Sequence, residues 1–153
     1  MTAVPSQAEV YQGQFGDFTI TESDRLGVII YRTGLAIAAL SFCFGSILIL
    51  WQGPTTTILS LLTPLFGVFT LGLGISLLTI HIYLIPLHRL LQIFWGIGTI
   101  SAAIIAVKSD LPLAEFVYRQ PLSLFGIGFT FVALTGIYFK EAFCFNRLET
   151  KAL

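Results

Sequence analysis

Apolar residues fall into four long uncharged runs separated by short polar or proline-bearing gaps, at residues 33–51, 57–80, 90–107 and 122–139. A bilayer core about 30 Å thick needs roughly 20 residues of helix to cross it. Each run meets that length, so the pattern predicts an all-α, polytopic transmembrane helical bundle of about four spans. The first run has room to begin earlier, because Leu26 to Tyr31 is apolar except for Gly27. Pro54, Pro86, Pro112 and Pro121 punctuate the gaps, where a residue without an N–H does least harm. Pro64 falls inside the second run. There it marks either a kink or a later helix start at Thr63 or Pro64, with residues 57–62 as a re-entrant or interfacial turn. The chain divides into a polar N-terminal tail (1–25), a transmembrane domain (26–139) and a charged C-terminal tail (140–153). The N-terminal tail has no apolar h-region, so insertion is expected to be led by the first span rather than by a cleaved signal.

Composition agrees with lipid as the solvent: 56% of the 153 residues are hydrophobic and 10% charged. Eight basic residues balance eight acidic ones, and nothing in that balance points to nucleic acid. Their distribution is more informative. Arg25, Arg32, Arg89, Lys140, Arg147 and Lys151 fall on the side shared by both tails, against Lys108 and Arg119 opposite. The bias predicts both termini on the cytoplasmic or topologically equivalent side. Trp51, Tyr83, Trp95 and Tyr138 sit at or near run ends as an aromatic belt would, Trp95 about one turn inside. Cys43 lies near the middle of the first run and Cys144 just beyond the last. A disulfide needs Cα atoms within about 7 Å, so both are expected to be free thiols.

Small residues recur at the spacing that lets membrane helices approach closely: Gly34, Ala38, Ser41 and Gly45; Gly98, Ala102 and Ala106; Thr70 and Gly74 with Gly72 and Ser76. They serve packing within the bundle or, if one stripe faces outward, docking to a partner. No run carries Asp, Glu or Lys in its centre, which counts against a proton relay or ion-coupled pump. Signatures of familiar hydrolase, nucleotide and zinc sites are missing as well, and no catalytic residue is assigned. The chain is expected not to be an enzyme.

His81 and His88 are the candidate cofactor-binding residues. Imidazole on this turn could ligate haem or chlorophyll, but Pro86 argues against one unbroken helix presenting both. The commoner role for such histidines is bonding to head groups or backbone carbonyls. Arg32 either snorkels to the head groups or pairs with Glu141. From Lys140 onward a continuing helix would carry Arg147 and Lys151 on one edge, as a docking handle or merely as the charged stop of a span. Cys144 lies near Lys140 and Arg147 but has no evident base, so a catalytic role is not expected. Ser76 and Thr79 are the only plausible polar lining of a channel or carrier, and ordinary back-bonding explains them equally well.

The segments TGIYFKEAFCFNRLETKAL (135–153) and HIYLIPLHRLLQIFWGIG (81–98), above all the KEAFCFNRLETK run, resemble a family of uncharacterised integral membrane proteins of cyanobacteria and plastids. The resemblance extends from about Gly27 to the C-terminus. It implies a thylakoid setting and a small accessory, assembly or structural subunit that contacts membrane lipid and a larger photosystem-type complex. It carries no catalytic residues to these positions.

Overall fold

The computed structural model describes residues 10–13, 16–19, 22–79 and 85–145, with side chains at Gln12, 22–79 and 85–139. His81, Tyr83 and the basic edge at Arg147 and Lys151 lie outside the described residues, as do the side chains of Lys140, Glu141 and Cys144. The elements in chain order are β1 (Val10–Gly13), β2 (Gly16–Thr19), α1 (Glu22–Gln52), α2 (Thr56–Thr79), α3 (Ile85–Lys108), α4 (Leu113–Arg119), a single 3-10 turn (Pro121–Ser123), α5 (Leu124–Ile127) and α6 (Phe129–Phe145). Helices α1, α2 and α3 are each long and apolar enough to cross a membrane, and the bent pair Pro121–Ile127 and Phe129–Phe139 makes a fourth span if taken as one. The protein is an all-α membrane bundle.

Two elements differ from the expected ones, α1 and the fourth span, and one open alternative, at Pro64 of α2, is settled. Helix α1 begins at Glu22, well before the apolar run, because Glu22 and Asp24 in its first turn complement the positive helix N-terminus. Its 31 residues reach about 46 Å, longer than the hydrocarbon core. Helix α2 runs unbroken through Pro64, so residues 57–62 are its first turns rather than a re-entrant segment. The fourth run is not one straight helix but bends by 46°. Gly126 and Gly128 flank Ile127 at the break, where helix propensity is lowest. The N-terminal tail also contains an antiparallel hairpin, with Val10 opposite Thr19 and Gly13 opposite Gly16.

The turn between α1 and α2 is encoded locally. Gly53 ends α1 at φ 72°, a left-handed conformation that suits glycine at this position. Its N–H donates to Ile49 O at 3.0 Å. Two residues on, Thr55 Oγ1 accepts from Ile58 N at 3.4 Å and starts α2 as an N-cap.

Packing in lipid gains little from the hydrophobic effect and relies on close backbone approach. The three small-residue stripes are used this way inside the bundle, apart from Ala106, which is exposed. A Cβ on Gly34 would lie 2.7 Å from Gly72 O, and one on Gly72 would lie 2.8 Å from Gly34 O, so α1 and α2 touch backbone to backbone. Gly98 on α3 meets Thr130 on α6, and Gly136 on α6 meets Leu91 on α3. Ala102 is buried with Leu113 and Ile127. Helix α1 thus packs on α2, and α6 on α3. At the end nearer the tails the four spans close around one core that includes Tyr31, Leu77, Leu91 and Ile137.

Candidate functional site

His88 and Trp95 occur seven residues apart on α3 and both reach across to α2. The ring Nε2 of His88 lies 2.7 Å from Leu77 O. A carbonyl only accepts, so this nitrogen carries the proton and donates it. Leu77 is in the last turn of α2, where carbonyls have no N–H partner within the helix, and His88 therefore caps α2 from its neighbour. Gln92 Nε2 shares the same carbonyl at 3.4 Å. Its 3.1 Å approach to His88 Nε2 brings two donors side by side and is not a second bond. Only Nδ1 of His88 remains for any further partner. Trp95 Nε1–H donates to Thr70 O at 2.9 Å, and its ring fills the space left by Gly74. Trp95 is thus an interior packing residue near mid-span rather than part of the aromatic belt. Trp51, by contrast, is 86% exposed at the end of α1.

Ser76 is fully buried against Gly34, at the contact between α1 and α2. Thr79 back-bonds to Ile75 O at 2.7 Å. Buried hydroxyls on Thr70, Ser76 and Thr130 have no hydrogen-bond partner, and Ser76 and Thr130 each lie against a glycine on the neighbouring helix. Arg32 is exposed beside buried Tyr31. Cys43 is a free, exposed thiol. Among the described residues, no three His, Cys, Asp or Glu side chains gather as metal ligands would.

Two features had no place in the sequence reading. Glu115 on α4 is 6% exposed and accepts from Arg119 Nη2 at 2.7 Å. Its signal was the i, i+4 carboxylate and guanidinium pair, readable only once residues 113–119 are taken as helix. The second feature is an apolar cavity of about 630 Å³ at the end of the bundle opposite the tails. Phe42 and Ile49 of α1, Leu62 and Phe66 of α2, and Val117 and Tyr118 of α4 line it. Its serine hydroxyls are already used, Ser41 Oγ on Ile37 O at 2.8 Å and Ser46 Oγ on Phe42 O at 2.9 Å. Helix α4 is held over the mouth by Ala114 N–H, which donates to Thr63 Oγ1 at 3.3 Å.

Three apolar spans, a bent fourth and a hydrocarbon-lined cavity define a polytopic integral membrane protein. Residues 75–153 match the family described as uncharacterized integral membrane protein (DUF2301), and the chain belongs to that family. The match begins at Ile75, so α1 and most of α2 precede it. No curated protein and no solved structure matches the chain.

Proposed function

We propose that this protein is a non-enzymatic accessory, assembly or structural subunit of a larger membrane complex, of photosystem type, in a thylakoid membrane with both termini on the stromal or cytoplasmic side. The observation that carries the reading is how little of the spans the bundle uses for itself. Helix α1 buries Tyr31, Gly34, Ala38 and Ser41 along one stripe, and α3 buries only Leu91, Gly98 and Ala102. The rest of each circumference presents bulky apolar side chains, among them Leu40 and Phe44 on α1 and Ile93 and Ile100 on α3. Because most of the small residues in the stripes are used internally, docking falls chiefly to these bulky faces.

The charge bias of the sequence supports the stated orientation. His88 is engaged with Leu77 O, which favours a structural role for it over pigment ligation. The test is native electrophoresis and affinity purification from a photosynthetic membrane. Stoichiometric recovery with a large pigment complex is the expected result, and migration only as a free small oligomer contradicts the proposal.

A further inference from the structure

We infer that the cavity is a binding site for one acyl chain of a membrane glycerolipid, entering from the leaflet opposite the tails. The bundle is closed in one half and parted in the other. Toward the tails all four spans share a core, whereas toward the α1–α2 turn α1 and the fourth span diverge over α2, leaving the cavity between them.

The dividing layer is aromatic. Phe42 of α1 meets Phe131 of α6 with ring centroids 5.8 Å apart, and Phe69 stacks on Phe131 at 5.3 Å. Phe42 precedes Gln52 by ten residues and Phe66 follows Thr56 by ten, each along one continuous α-helix. At 1.5 Å per residue the layer lies roughly 15 Å below the outer ends of the helices. That depth is half of a hydrocarbon core of about 30 Å, which is the reach of one leaflet's chain.

The same layer selects the occupant. A partner's spanning helix must continue through the full core, and the contact between Phe42 and Phe131 blocks its path at mid-membrane. A lipid tail ends there. Along the channel both serine hydroxyls are bonded to their own helices, so the walls suit hydrocarbon. At the mouth Tyr118, which lines the cavity, is 60% exposed. Its phenol O–H can donate to an ester oxygen of a glycerolipid.

The test uses the full chain in nanodiscs of phosphatidylcholine doped with a phosphatidylcholine bearing a diazirine at the end of one tail. Native mass spectrometry after detergent exchange is expected to retain one lipid per chain. Crosslinks are expected at Phe42, Phe66 and Phe131 at least tenfold above those at Leu71 and Leu78, which face outward on α2. Ser46→Phe and Val117→Trp, which fill the cavity from opposite walls, are expected to lower both signals at least fivefold while circular dichroism and gel-filtration behaviour stay as in the wild type. Uniform labelling of groove and outward faces, no retained lipid, or retention unchanged in both folded variants would overturn the inference. If either variant fails to fold, wild-type crosslinking alone decides.

Discussion

Gly98 and Gly96 are two residues apart on α3, yet a methyl group has opposite meanings at the two positions. At Gly98 it would run into Thr130, whose backbone N would lie 2.6 Å away, whereas at Gly96 nothing lies within 4 Å. Gly98→Ala is therefore expected to destabilise the protein by about 1–3 kcal/mol through overpacking. Gly96→Ala is expected to shift it by less than about 1 kcal/mol, in the stabilising direction, by helix propensity. Thermal unfolding in one detergent compares them, and equal effects would show that α6 does not seat on Gly98. His88 offers a second test. Its ring ties α3 to the open carbonyl of Leu77, so His88→Ala is expected to lose about 0.6–2 kcal/mol. His88→Gln, which retains an N–H at similar reach, is expected to recover part of that loss. Spacing alone had made Gly34, Gly72 and Gly98 candidates for packing, and they are. It could not tell that Trp95 turns inward, because the cavity it fills is created by Gly74 on another helix.

At the scale of the elements, helices α2 and α3 follow their apolar runs closely because run length is what a bilayer selects. Helix α1 overruns its apolar segment because helical hydrogen bonds do not require apolar side chains, and residues from Glu22 to Arg25 continue it. The bend in the fourth span was not legible, since Gly126 and Gly128 read as uncharged residues within a hydrophobic run. Helix α4 was missed for a different reason. Its seven residues, in a stretch bounded by two prolines, look like a loop until Leu113 and Glu115 are seen to be buried against the bundle. The α1–α2 turn makes a prediction at this scale. Gly53 holds φ 72°, so Gly53→Ala is expected to cost roughly 1–2 kcal/mol, and Thr55→Ala, which removes the N-cap, about 0.5–2 kcal/mol. Thermal unfolding that leaves both variants at the wild-type midpoint would contradict the described turn.

For the whole molecule, a bundle closed at one end and parted at the other arises from unequal pairing: α1 leans on α2, α6 on α3, and α4 wedges against the outer end of α2. No single segment contains that asymmetry, which is why the cavity was invisible in the sequence while the spans were plain. The candidate site followed the same rule. The sequence offered His81 and His88 either as ligands or as partners of head groups or backbone carbonyls, and contact with α2 gives His88 Nε2 a backbone carbonyl.

Everything built on this architecture depends on the bent segment Pro121–Phe139 completing a fourth crossing. Single cysteines at Gln12, Thr55, Ser109 and Thr150, placed in a chain with Cys43→Ser and Cys144→Ser, report on it directly. In sealed vesicles of one orientation, a membrane-impermeant maleimide is expected to reach Gln12→Cys and Thr150→Cys from one side, and Thr55→Cys and Ser109→Cys only from the other. Labelling of Thr150→Cys from the same side as Thr55→Cys would mean that the bent pair turns back without crossing, and would contradict the four-span bundle.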